Sequence, residues 1–122
     1  MAIGQSLIDA DYCYITTTGR VTEKPHTVEI WFAVAGDTLY VLAGGGERAD
    51  FVQNARKEPD VGVRIDTTQF RGRARSVADS GEDARARKML LEKYSARGNS
   101  DLEGWAREAL PVAIDLAPGS PS

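Results

Sequence analysis

Hydrophobic and polar positions alternate with a period of two along most of the chain and with a period of three to four in three shorter stretches. Residues 12–18, rich in aromatic and β-branched side chains, read as a strand that ends at Gly19. After a polar turn to Pro25, residues 26–34 alternate cleanly, with Val28, Ile30, Phe32 and Val34 on one face and Thr27, Glu29, Trp31 and Ala33 on the other. Gly36-Asp37 supplies a hairpin turn into a return strand over 38–43. Val61, Val63 and Ile65 mark a fourth strand with Gly62 and Arg64 on its reverse face. A fifth, over 69–77, sets Arg71, Arg73 and Arg75 on one side, and Val112, Ile114 and Leu116 form the last.

Helical spacing places Phe51, Val52 and Ala55 on an early helix closed by Pro59, and Ala86, Leu90 and Tyr94 on a longer one over 79–96. Ser100-Asp101-Leu102-Glu103 resembles a capping box for a short helix holding Leu102, Trp105 and Ala109. Residues 1–10 read as a short lead-in whose Ile3, Leu7 and Ile8 cover a core edge, and the Pro/Gly/Ser tail after residue 117 is expected to be disordered. With few strands joined by helical crossovers, the fold class is mainly β (α+β), and a closed antiparallel barrel of six strands with peripheral helices is expected over a parallel sheet.

A chain of 122 residues makes a single domain, here 1–117, and can bury a core without staples. Cys13, the one cysteine, sits mid-strand as a small hydrophobe, and the sequence has no Cys/His spacing for a metal. No basic segment followed by a long apolar run opens the chain and no membrane-length apolar stretch occurs, so a cytoplasmic protein is expected. The net charge of −3 argues against a nucleic-acid partner. Eleven of the basic residues are Arg, clustered at 71–75 and 85–87, which suits a solvated face or a small anion.

One stretch organises this reading. Over residues 39–56 an apolar strand runs into Gly44, Gly45 and Gly46, and a helical pattern follows with Arg48 near its start. Backbone N–H groups of a glycine turn and a helix N-terminus, completed by a cation, make an anion cradle; the same glycines can equally be only a turn. Trp31 beside Glu29, with small neighbours, either lines a groove for a flat ring or is covered by the C-terminal helix. The arginines of 71–75 either keep a sheet edge soluble or meet an anionic ligand tail or a partner subunit. One His and no partnered Cys leave hydrolase and acyl-transfer chemistry without a nucleophile–base pair. His26 is a cofactor or turn contact, or a general acid.

Four pieces, in order, carry a resemblance: Thr16-Thr17-Thr18-Gly19-Arg20 before Pro25, the segment from Val41 to Gly46, Phe51-Val52-Gln53-Asn54 before Pro59, and Trp105 with Leu110-Pro111 before the last strand. Over residues 12–117 the chain resembles the deazaflavin-dependent nitroreductase family, a branch of the flavin-binding split β-barrels that includes the pyridoxamine phosphate oxidases. The resemblance implies a six-stranded split barrel that binds coenzyme F-420 and passes hydride to a small electron-poor organic molecule, often as a homodimer. It implies that Lys24, His26, Thr27, Val28 and Glu29 flank the ring. Ala43, Gly44, Gly45, Gly46, Arg48, Phe51, Asn54 and Arg56 would then serve the phosphate and acidic tail, with Trp31 and Arg64 as substrate contacts. FMN in the same fold, and a non-catalytic module holding a flavin, haem or fatty acid, are the alternatives.

Overall fold

The structure, a computed structural model, describes residues 4–117. Ile3 and the tail from residue 118 therefore lie outside the described residues. The strands are β1 (Cys13–Thr18), β2 (Pro25–Ile30), β3 (Ala33–Ala35), β4 (Thr38–Ala43), β5 (Asp60–Ile65), β6 (Thr68–Ser76) and β7 (Leu110–Leu116). The helices are α1 (Gln5–Ile8), α2 (Asp50–Lys57), α3 (Ser80–Ser95) and α4 (Glu103–Glu108). All neighbouring strands pair antiparallel, in the order β2-β1-β5-β6-β7-β4-β3.

The expected mainly β, antiparallel architecture is present, with seven strands in place of six. The alternating stretch 26–34 is two strands because β2 and β3 are the opposite edges of the sheet, and the chain passes from one to the other through Trp31 and Phe32. The sheet therefore curls until its edges meet without pairing. The two-residue period survives this break: Val28, Ile30, Phe32 and Val34 all pack into the interior, whereas Trp31 and Ala33 join an outer cluster.

The interior takes one face of the strands, among them Cys13, Ile15, Leu39, Val63, Phe70 and Ile114, and Phe51, Val52 and Ala55 of α2 close one end. Burial pushes the Cys13 thiol up to about 12, so it packs as an apolar side chain. Gly72 is required by this packing, since a Cβ there would lie 2.5 Å from the Ile114 side chain. The outer cluster lies where Ala86, Leu90 and Tyr94 of α3 cover Tyr40, Leu42 and Ala113. Asp79 caps α3 by accepting the Glu82 N–H at 2.8 Å. The expected capping box of α4 does not form: Asp101 has φ of 61°, the N-cap is Leu102, and no side chain caps it.

The two crossing residues would leave unpaired backbone groups, and α3 supplies their partners. The Phe32 N–H donates to the Tyr94 hydroxyl (2.9 Å), which donates to the Asp11 carbonyl (2.7 Å). Lys93 donates to the Phe32 carbonyl (2.9 Å) and the Ile8 carbonyl (3.0 Å), and its Nζ stands 3.8 Å from the Phe32 ring centroid. Burial brings the Lys93 ammonium down to about 8 and the Tyr94 phenol up to about 12.

Strand β6 is internal, between β5 and β7, and its arginines do not guard an edge. Arg73 pairs with Asp60 at 3.1 Å across the β5–β6 ladder. Arg75 makes two 2.8 Å bonds to Glu82 and one of 2.6 Å to Asp115, tying the first turn of α3 to the sheet. Arg75, and secondly the Tyr40 hydroxyl, hold the Glu82 carboxyl down to about 2.

Replacing Tyr94 by Phe strands the Phe32 N–H and is expected to cost roughly 1–3 kcal/mol, read as a lowered urea midpoint with an unchanged slope. Glu82→Gln is expected to destabilise at pH 7. Because the folded value of Glu82 lies below its ordinary value of 4.5, its contribution is full above that pH and is lost as pH falls towards 2. The difference between wild type and variant should therefore shrink between about pH 4.5 and 2, measured by denaturation at several pH values.

Candidate functional site

The edge-to-edge crossing creates an opening in the barrel wall. Strand β2 has β1 on one side only, and β3 pairs with β4 just from Thr38 to Tyr40. Val41, Leu42 and Ala43 consequently have no strand on that side, so two runs of backbone N–H and C=O groups border the same seam. At one end of the seam Glu29, Ile30 and Trp31 from β2 and its extension, Leu42 from β4, and Leu102, Trp105 and Tyr12 line a groove of about 390 Å³.

Trp31 is covered on one side and borders the groove on another. One face stacks on Tyr94, with ring centroids 4.1 Å apart and planes 4° from parallel, so α3 does cover it. It also stands perpendicular to Trp105, at 5.5 Å and 88°, and the two indoles border the groove. Glu29 accepts a hydrogen bond from Tyr14 at 3.0 Å, which raises the tyrosine pKa. Tyr12, Leu42, Leu102 and Trp105 were not legible as groove residues, because in the sequence each satisfies a strand or helix core position.

Beyond Ala43, itself buried, the chain turns through Gly44 and Gly45, which are exposed. A Cβ on Gly44 would meet nothing within 4 Å, so backbone there is open to a ligand, and Gly46 alone of the three needs the left-handed region, at φ of 61°. A single 3₁₀ turn, Gly46–Arg48, intervenes before α2. Arg48 therefore precedes the helix, exposed and with its guanidinium unpartnered among the described residues, while the first turn of α2 is occupied by Asp50, paired with Arg20 at 3.2 Å.

The other residues named from the sequence lie in different surroundings. His26 and Asn54 line a 190 Å³ hollow with Gly19, Arg20, Val21, Thr22 and Asp50. Asn54 is 2% exposed, and both ends of its amide are engaged: the oxygen accepts from the Arg20 N–H (3.1 Å) and guanidinium (2.8 Å), and the nitrogen donates to Thr17 (3.2 Å). It braces the 19–25 turn against α2. Phe51 is core, and Arg56 pairs with Glu47 at 3.1 Å. Thr27, hydroxyl-bonded to Thr16 at 2.8 Å, and Arg64, which stacks 4.2 Å over Tyr14, line a separate hollow on the outer face of the sheet. Val28 packs inward, and Lys24 is exposed at the start of β2.

An antiparallel sheet that curls closed but stays split along one seam, with free strand edges and an aromatic groove beside it, is a split β-barrel. Residues 1–117 match the family model described as F420H(2)-dependent quinone reductase, and the chain belongs to that family. It is a deazaflavin-dependent reductase whose cofactor is coenzyme F-420. The fold is similar to that of a putative 5-nitroimidazole antibiotic resistance protein from Bacteroides thetaiotaomicron, with TM-score 0.72 and 16% identity over 94% of this chain and 81% of that one. It is also similar to an F420-H2 dependent reductase (FDR-A), at 0.67 and 19% over 88% and 94%. A third likeness is to the haem storage protein HutZ of Vibrio cholerae, at 0.71 and 13% over 90% and 84%. Comparison with curated proteins gave no match. No helix among the described residues is long and apolar enough to cross a membrane.

The residues present fit such a cofactor: free strand edges for a flat heterocycle, an unobstructed glycine backbone, and a cation, Arg48, that no carboxylate claims. Asn54 tests the distinction between brace and ligand. Asn54→Ala is expected to lower stability by roughly 1–3 kcal/mol in the absence of any cofactor, measured by urea unfolding, because it leaves the Arg20 N–H and Thr17 hydroxyl without their buried partner.

Proposed function

We propose that the reductase passes hydride to a small, flat, electron-poor organic acceptor seated in the groove that Trp31 and Trp105 border. The observation that supports this most is continuity. Strand β2, which carries His26 to Glu29 along the seam, runs directly into Trp31, so the cofactor edge and the aromatic groove are consecutive parts of one stretch of chain. The bound deazaflavin supplies the hydride, and the chain's task is to hold two planes together and keep water out. Backbone of β2 and of Val41 to Ala43 offers hydrogen bonds to a heterocycle, the glycine turn with Arg48 and Lys24 receives an anionic tail, and the indoles orient the acceptor.

Arg71, Arg73 and Arg75 do not enter this reading of the tail. Arg73 and Arg75 are already neutralised by carboxylates and Arg71 has a partner of its own. Equilibrium titration of the protein with coenzyme F-420 and with FMN, followed by oxidation of the reduced deazaflavin on adding an acceptor, tests the proposal. Tighter binding of FMN, or binding without turnover, would overturn it.

In the same titration Arg48→Ala is expected to weaken coenzyme F-420 by about ten to a hundredfold, the loss of one or two charge-assisted hydrogen bonds. The melting temperature without ligand should stay within a degree or two, because an exposed, unpartnered arginine contributes little to folding.

A further inference from the structure

We propose that the groove selects an organic cation, and that Glu29 is its specificity-determining residue. The inference builds on the acceptor site above. Two perpendicular indoles, Trp31 and Trp105, with the 44% exposed ring of Tyr12, give the groove three aromatic walls. Glu29 is its only charged lining residue, and its single partner among the described residues is the neutral Tyr14 hydroxyl. The nearest cations are committed elsewhere. Arg64 stacks on Tyr14 and donates to the Asp66 carbonyl, Lys93 holds backbone carbonyls, and Arg97 pairs with Asp11. On the far side of Tyr12 a second hollow is lined by Asp9, Asp66 and Arg64, with Asp11 discharged by Arg97, which leaves a net negative charge beside the groove. Aromatic faces at right angles and an unneutralised carboxylate favour a positive charge over a neutral or anionic group of the same shape.

A cationic acceptor also suits the lack of any imidazole, lysine or arginine in the groove. An N-alkyl heteroaromatic cation takes hydride at the carbon of its C=N⁺ bond, the π pair moves to nitrogen, and the product is neutral. The C–H bond of the reduced deazaflavin that supplies the hydride would break with its electron pair and the ring N–H proton left behind would pass to solvent, so no proton donor is needed at the acceptor.

The chain has two tryptophans, and both line the groove, so their indole N–H resonances report its occupancy without any cofactor. Titration with N-methylquinolinium and with its neutral isostere 1-methylnaphthalene should move both signals saturably, the cation binding about tenfold more tightly. Glu29→Gln should bring the two within about threefold, and Trp105→Ala should weaken both. Equal affinities in the wild type, a preference that persists in Glu29→Gln, or no saturable shift would overturn the proposal. Coenzyme F-420 titration of the wild type separately decides the reading on which it rests.

Discussion

At Trp31 and Phe32 the chain abandons one edge of a sheet for the other, and everything characteristic of the molecule follows from how that step is held. The step is not bridged by strand pairing: Trp31 and Phe32 lie in no strand, and the two edges they join do not pair with each other. Tyr94 and Lys93 stand in for the missing strand, each serving backbone groups from two segments. Without them the freed Phe32 amide would be buried and unpaired, at a cost of roughly 1–3 kcal/mol against a total stability of about 5–15 kcal/mol for a domain. With them the seam stays open below the crossing, and an open seam is what gives the fold a ligand-binding edge.

Holding the seam this way has an electrostatic cost that shapes the rest of the surface. Lys93 is desolvated without a carboxylate partner, which is why its ammonium is weakened to about 8. Elsewhere the arginines are discharged by acids across strands and between sheet and helix, as at Arg73 and Arg75. The consequence is selective. Arg48, just past the glycine turn, has no carboxylate partner among the described residues, while Glu29 in the aromatic groove has only the neutral Tyr14 hydroxyl, so the turn and the groove present opposite charge.

Much of the fold was legible in the sequence because a two-residue period is unambiguous when one face is buried; even the broken stretch 26–34 kept its faces. The break itself was not legible, since nothing in Ile30-Trp31-Phe32-Ala33 departs from strand chemistry and only the closure of the sheet forces it. The capping box failed because Asp101 takes the left-handed region and the helix begins only at Glu103, with Leu102 at the N-cap, which leaves Ser100 outside the capping position. For the site, the glycine turn and Trp31 were readable from residue type. Asn54 was not readable as a brace, because a buried amide satisfied by a loop 34 residues earlier looks, in sequence, like any ligand-binding amide.

The groove also draws its walls from elements of very different firmness. Trp31 is fixed by stacking on Tyr94, within the bonds that hold the crossing. Trp105 rides on α4, a six-residue helix without a side-chain cap, too short to persist on its own. What holds α4 is Arg87 of α3, whose Nη1 donates to the carbonyls of Ala106, Arg107 and Ala109 at 2.8 to 2.9 Å while its Nε binds Asp83. One guanidinium thus satisfies the orphan carbonyls of the helix end and sets its distance from α3. The width of the groove therefore depends on a residue that does not line it, and a change confined to Arg87 would alter the spacing of the indoles while leaving the seam and its glycine turn as they are.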